Sequence, residues 1–496
     1  MELPTLASFN LAAALPMLIV AGWAIVVLTA DLFIPSGHKH WTAWLSLVGL
    51  VGAGVVLGIQ FAASGQQPLI AFNGMFVADG FALFLQAVFL FSAFVSILLA
   101  VNYLSRRGIE RGEYYTLLLF TTTGMMLMSA AADMIVVFLA LELLSIPLYV
   151  LSGLAKPDIR SEEAAMKYFL LGAFASGFFV YGIALIYGGT GTTALTGILG
   201  ALAGDAPNMT FAVIGLGLVL VGLGFKVAAA PFHMWTPDVY QGAPTPVTAF
   251  MSVGAKAGGF AALLRVLITA FPSISAEWGT IIAVLALLTM ILGNFIAVSQ
   301  TDIKRMLAYS SIAHAGYILV AVAAAQFADV APFAASAAAF YLFTYALTNL
   351  GAFAVIIAIE HNDGSGTAIA DFSGLAHSRP LMAAAMLLFM LSLTGLPPSA
   401  GMVGKFFVFQ AALMGASRDP LLLAVVIVGV LTSVVSAFYY IRVVIMMYMR
   451  EGKGHAAPQP ALLAALAITT IGTFAIGIIP APIFQIAQKA LLALSS

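Results

Sequence analysis

Residues 209–235 read MTFAVIGLGLVLVGLGFKVAAAPFHMW, an apolar run that carries Lys226 near its end and Pro231 soon after. One membrane crossing needs about 20 residues, so the run is too long for a single ordinary helix. Proline removes a backbone donor and clashes with the preceding turn. At membrane depth such a break persists only where it is buried in protein or lines a hydrated cavity. The run 381–415 repeats the pattern, passing Gly395, Pro397, Pro398, Gly401 and Gly404 before Lys405. A proline kink accounts for either run alone. Two breaks, each beside a lysine, point to a pair of discontinuous helices.

Working outward from these runs, apolar segments separated by polar or Gly/Pro breaks fall near 11–33, 42–63, 79–102, 114–130, 133–154, 164–188, 209–235, 246–270, 279–298, 305–325, 332–359, 381–415, 420–448 and 460–490. The chain is 62% hydrophobic and 8% charged, against roughly 25% charged in a soluble domain. The expectation is an all-α membrane protein of about fourteen transmembrane helices, with no soluble domain. A net charge of −1 argues against a nucleic-acid partner. Without cysteine the chain holds no disulfide, Cys-ligated zinc or thiolate-bound cluster. The opening MELPTLASFN lacks the basic region of a signal peptide, so the first apolar run is expected to be retained. Asn208-Met209-Thr210 fits a glycosylation pattern too short to carry weight.

Basic residues orient a multi-pass chain. With the N-terminus outside, Lys39, Arg106, Arg107, Arg111, Lys156, Arg160, Lys304, Arg305, Arg379, Arg450 and Lys453 share the cytoplasmic side, and only Arg265, Arg418 and Lys489 face the other. Both termini are then outside. The two breaks occupy the seventh and twelfth spans. Units five helices long enter the membrane from opposite sides, so spans 4–8 and 9–13 form two inverted five-helix repeats, each with a discontinuous helix. The divisions are 1–113 (three N-terminal helices), 114–271 (first repeat), 278–448 (second repeat) and 449–496 (C-terminal helix), within one polytopic domain, 1–496.

Lys167, Lys226, Lys256, Lys405 and Arg442 fall within spans, whereas Glu142 alone among the acids lies deep in one. A charge at a helix centre costs about 2.5–3.5 kcal/mol even on a lenient scale. Lys167 and Arg442 lie near enough to span ends to snorkel. Lys226, Lys256 and Lys405 sit beside glycines or breaks, away from basic loops. One acid cannot neutralise four lysines, so some are neutral or hydrated. Burial disfavours the ammonium form and a nearby carboxylate restores it. Making and breaking a Glu142–lysine pair is therefore a proton switch. His233 and His314 are the in-span histidines. Each is usually a packing residue, with relay of protons beside Lys226 and Lys405 the functional alternative, and nothing else supports a haem.

Two features mislead. Gly401-Met-Val-Gly404-Lys405 ends like a phosphate loop, but Phe406 stands where Ser or Thr must bind magnesium. Glycines in 215–224 suit close helix packing. The chain thus has groups placed to move protons and no engine of its own.

LELLSIPLYVLSGL (141–154), FKVAAAPFHMWTPDVYQGAPTPVTAF (225–250), SQTDIKRMLAYSSIAHAGY (299–317) and LSLTGLPPSAGMVGKFFVF (391–409) resemble the antiporter-like membrane subunits of proton-pumping NADH:quinone oxidoreductase, respiratory complex I. The resemblance covers most of the chain. It implies that Glu142 and Lys226 form the ion pair of the first half-channel and that Lys167 modulates it. It makes Lys256 the link between halves, Lys405 the terminal proton-transfer residue, and His314 one of the polar positions between them. It further implies no cofactor or metal in this chain, with FMN, iron–sulfur clusters and quinone in partner subunits. The partners it implies are other membrane subunits, including neighbouring antiporter-like subunits and the lateral helix of the L-type subunit, together with membrane lipid. The expected location is a bacterial inner membrane with both termini periplasmic. Lys405 replaces the glutamate of the M-type branch, and no L-type lateral helix follows the last span, which leaves the remaining branch. A subunit of a Mrp-type sodium/proton antiporter is the alternative.

Overall fold

The structure is a computed structural model that describes residues 9–63, 67–204, 208–452 and 456–490. Its helices are α1 (Leu15–Asp31), α2 (His40–Ala63), α3 (Gly80–Arg106), α4 (Glu113–Ala130), α5 (Met134–Ser152), α6 (Ile159–Thr190), α7 (Leu195–Ala203), α8 (Met209–Val227), α9 (Trp235–Gly242), α10 (Thr245–Phe250), α11 (Lys256–Ala270), α12 (Ser275–Val298), α13 (Ile303–Ala324), α14 (Ala331–Ile359), α15 (Leu375–Ser378), α16 (Pro380–Thr394), α17 (Ala400–Gly415), α18 (Pro420–Met449), α19 (Pro460–Ile478) and α20 (Ala481–Lys489). A two-stranded hairpin, β1 (Leu69–Ala71) with β2 (Phe76–Ala78), covers the end of α3 opposite the basic loops.

Among the described residues, twelve helical segments are long and apolar enough to cross a membrane. The two expected crossings missing from that set have physical explanations. Glu113, Tyr114, Tyr115 and four threonines lower the hydropathy of α4, yet Thr121, Thr122 and Thr123 return their hydroxyls to the carbonyls of Leu117, Leu118 and Leu119 and are buried. The twelfth span is divided into α16 and α17, each too short alone. The fourteen-helix reading therefore holds, with boundary differences. Helix α6 begins at Ile159 rather than near 164, and the last crossing ends at Ile478, where Pro480 turns the chain into α20. Lys453 lies outside the described residues.

The inverted repeat is visible residue by residue. Asp133 caps α5 by accepting from Ile135 N, and its other oxygen accepts from Thr193 Oγ1 at 2.8 Å. Asp302 caps α13 by accepting from Arg305 N, and its other oxygen accepts from Thr367 Oγ1 at 2.6 Å. Each aspartate also bridges an extended residue beyond the next helix, Ala194 in one case and Ala368 in the other. The first bridge lies on the hairpin face, the second on the basic face.

Core and rim follow from which faces are apolar. Helices α10, α11, α13 and α14 are buried along almost their whole length, whereas α1, α2, α6, α12 and α18 present exposed rows such as Phe174, Phe295 and Val434 outward. The glycines of 215–224 do permit close approach, because a Cβ on Gly215 would stand 2.7 Å from Gly182 O across the α6–α8 contact.

Candidate functional site

In the first half, α8 ends where Ala228 adopts φ 61° and the chain runs through Pro231 to α9. Carbonyls freed by the break are taken up locally, since Ala229 N donates to Gly224 O and Trp235 Nε1 donates to Phe225 O at 3.0 Å. Lys226 stands in the last turn of α8, where the negative end of the helix dipole favours a cation, and is 3% exposed. Its Nζ donates to Ser145 Oγ at 2.8 Å and to Tyr168 Oη at 3.3 Å. Tyr168 is itself stacked on Trp235, with ring centroids 4.5 Å apart. Glu142 lies half-buried on α5 and accepts from Ser176 Oγ at 2.5 Å.

The expected Glu142–Lys226 pair is therefore open. Among the described residues no carboxylate lies within 4.0 Å of Lys226, Lys256 or Lys405, although Glu142 remains near enough to act on Lys226 through space.

Lys167 corrects the count of four lysines sharing one acid. Its side chain is 40% exposed and its ammonium meets Asp238 at 2.6 Å and Glu163 at 2.7 Å. Asp238, on α9, also accepts from Arg305 Nη1 at 2.7 Å, so this pair ties the first repeat to α13. Asp238 was not among the expected residues because sequence places it in a short polar segment, and only the fold of α9 under α6 brings it to Lys167. Of the four in-span lysines, Lys226, Lys256 and Lys405 are buried and, among the described residues, have no carboxylate within 4.0 Å.

Lys256 opens α11 after a wide turn over Met251–Ala255 and is 2% exposed. Its Nζ donates to Ser311 Oγ and to Ser311 O, both at 2.5 Å. One turn along α13, His314 Nδ1 pairs with Tyr341 Oη at 2.6 Å and Nε2 with Tyr440 Oη at 3.2 Å. Tyr440 in turn contacts Ser310. Ser311 and His314 follow Asp302 by the same intervals at which Glu142 and Ser145 follow Asp133, so the second repeat puts a hydroxyl where the first has its carboxylate.

Lys405, 5% exposed, is held by the broken helix it belongs to. Its Nζ donates to Leu393 O and Thr394 O, at 3.0 and 2.9 Å, and to Ser433 Oγ at 3.1 Å, and it sits 4.5 Å from the centre of the Tyr317 ring. Those carbonyls are exposed because Gly395 turns the chain at φ 91°, a conformation favoured by glycine. The ammonium thus caps the C-terminal end of α16. His314 lies between Lys256 and Lys405 and feels both.

Four further residues are placed by the fold. His233 sits half-buried on the connector between α8 and α9, and among the described residues no hydrogen bond joins it to Lys226. Arg442 donates to Val298 O and Gln300 O, closing the end of α12 rather than the pathway. Lys304, read as a loop base, is buried in the first turn of α13 with Nζ 2.7 Å from Ala243 O, and Arg265 is buried against Asp79.

Two inverted five-helix units, each with a broken helix beside a buried lysine and joined through Lys256, define an antiporter-like membrane subunit. The sequence pattern described as NADH:quinone oxidoreductase/Mrp antiporter, TM matches residues 131–434. NADH-quinone oxidoreductase subunit N of Chloroflexus aggregans is 47% identical over 502 residues, covering 100% of both chains. A chain of respiratory complex I from Thermus thermophilus with bound aureothin superposes with a TM-score of 0.78 at 35% identity, covering 95% of this chain and 99% of that one. A chain of the Mrp complex from Dietzia sp. DQ12-45-1b shares the fold, with a TM-score of 0.79 at 24% identity and coverage of 98% and 97%. This chain belongs to the family of subunit N of NADH-quinone oxidoreductase, as its sequence motifs implied.

Proposed function

We propose that the chain is a proton-translocating membrane subunit of a bacterial NADH:quinone oxidoreductase, moving protons while electrons pass from NADH to quinone in partner subunits. One observation carries this reading: Lys226, Lys256 and Lys405 are almost fully buried and, among the described residues, have only hydroxyls, carbonyls and rings as neighbours. A buried ammonium without a counter-ion is expensive, by several kcal/mol even after relaxation, so its proton leaves readily when the surroundings shift. Closing the Glu142–Lys226 pair holds a proton on Lys226, and opening it, as seen here, releases the proton toward Lys256. From Ser311 the side chains of His314 and Tyr341 lead toward Lys405, which delivers the proton to the far side. Lys167 tunes the pair electrostatically from its seat on Asp238. His233 takes no part in the proposed path.

The segments 1–113, 114–271, 278–448 and 449–496 are the proposed working units. Flavin, iron–sulfur clusters and quinone belong to partner subunits, and neighbouring antiporter-like subunits and an L-type lateral helix are the partners against the lipid-exposed faces. The basic face is cytoplasmic, the membrane is the inner one, and both termini are periplasmic. In membranes holding the assembled complex, Lys226→Ala and Glu142→Ala lower NADH-driven proton uptake. Pumping at full stoichiometry by both variants overturns the reading, and sodium-dependent proton exchange without NADH points to the Mrp type instead.

A further inference from the structure

The basic face holds a buried carboxylate that the pathway above does not use. Glu360 ends α14 and is 4% exposed. Among the described residues no cation lies within 4.0 Å of it. Instead Tyr103 Oη donates to Oε1 at 2.7 Å and Thr245 Oγ1 donates to Oε2 at 2.5 Å. The Tyr103 oxygen also accepts from Thr245 N at 3.4 Å, which turns its proton toward Glu360.

The same side chain is a wall of two cavities. On one side a cleft of about 470 Å³, rimmed by Arg106, His361 and Asp363, opens at the basic face. On the other lies a partly open polar space of about 20 Å³, lined also by Arg107, Asp158, Arg160, Gln241, Asp302 and Lys304. A space of that size holds about one water. Beside it a line of polar groups continues to part-exposed side chains of α13, α9 and α6. Gln241 Oε1 accepts from Arg305 Nη1 at 3.1 Å, Arg305 Nη1 donates to Asp238 at 2.7 Å, and Asp238 accepts from Lys167 at 2.6 Å.

We propose that Glu360 is a proton-loading carboxylate on the basic face, a site that rests on the proton-translocating reading of the chain. A hydronium in the cleft gives its proton to the Glu360 carboxylate and leaves as water. The Thr245 hydroxyl, a donor with two lone pairs, rotates to accept from the new O–H. Glu360 then gives the proton to the water in the second space, on the side of Gln241, and returns to the carboxylate that Tyr103 and Thr245 hold. Lys304, whose Nζ donates to Ala243 O at 2.7 Å, lines the same space.

A carboxylate that only tied α3, α10 and α14 together would need the hydrogen bonds and not the proton. Glu360→Gln keeps an acceptor for Tyr103 and cannot carry a proton. In sealed membranes with the assembled complex, NADH-driven proton uptake is expected to fall about tenfold. This is less than the ~10²–10⁴ of a positioned acid or base, because water in the cleft substitutes in part. Sodium formate, small enough for the cleft, is expected to restore much of the rate in Glu360→Gln and to leave the wild type unchanged. Normal pumping by Glu360→Gln, or slow pumping that formate does not restore, overturns the assignment. If Glu360→Gln does not assemble, Gln241→Met decides: slowed pumping without formate rescue supports the path, and normal pumping removes it. Lys226→Ala runs beside them. If it and Glu142→Ala too pump normally, the proton-translocating reading falls; if they are impaired while Glu360→Gln is normal, only the Glu360 assignment falls.

Discussion

Ser145→Ala deletes one atom, the oxygen that accepts from Lys226 Nζ at 2.8 Å, and leaves the packing of α5 otherwise intact. A hydrogen bond to a charged group contributes about 1.5–3 kcal/mol. Tyr168 Oη, at 3.3 Å, stays in place and retains part of the stabilisation, so the lower figure applies. A loss of about 1.4 kcal/mol lowers the weight of the ammonium form about tenfold. If every proton moved by the first half passes through Lys226, NADH-driven proton uptake falls by about that factor. Ser145→Thr keeps a hydroxyl on the same Cβ, can return it to Leu141 O as Ser145 does, and is expected to pump near the wild-type rate. The assay is a pH-sensitive dye in inverted membrane vesicles, with NADH oxidation and the amount of assembled complex measured in parallel. Wild-type uptake by Ser145→Ala, or equal impairment in Ser145→Thr, refutes the reasoning.

Arg265 and Asp79 form a two-pronged pair at 2.7 and 3.0 Å, each 3% exposed, with Arg265 Nε also donating to Ser129 O. Removing one partner strands a buried charge and costs about 3–5 kcal/mol. Asp79→Asn or Arg265→Met should therefore lower the thermal denaturation temperature in detergent, and the double variant should recover most of the loss; a double variant as unstable as the sum of the singles argues against this. On the hairpin face the Arg418 guanidinium grips Asp329 at 2.8 and 3.1 Å and holds its carboxyl below the usual carboxylate range. A depressed folded-state value means that this contribution is fully present above the unfolded carboxylate range and is lost as pH falls through the lowered value. Asp329→Asn should thus flatten the acid limb of the stability profile slightly, and an unchanged limb would show that the pair is inert.

Much of the site was legible before any coordinates. Lys226 and Lys405 announced themselves because a lysine beside Gly and Pro in an apolar run has no inexpensive explanation, and both stand where helices break. Charge counting grouped most loop bases on one face, although Lys304 and Arg265 proved to be buried. The repeat was inferred from break positions alone; its residue-level proof, Asp133 with Thr193 and Asp302 with Thr367, joins residues about sixty apart and has no local signature. Asp238 and Glu360 were passed over for a related reason. Acids at helix ends are ordinary in sequence and become unusual only when neighbouring helices close over them.

The sequence by itself determined that this chain crosses a membrane about fourteen times, which helices break, and which lysines are stranded, because hydrophobicity, proline and charge act along one dimension of the chain. Only the tertiary structure decided what each lysine touches. Lys226 meets Ser145 across 81 residues and Lys256 meets Ser311 across 55. A hydrogen bond is satisfied within about 3 Å whatever the distance along the chain, so those partners came into being when the helices packed. The same packing left Glu142 on Ser176 and the Lys226 pair open.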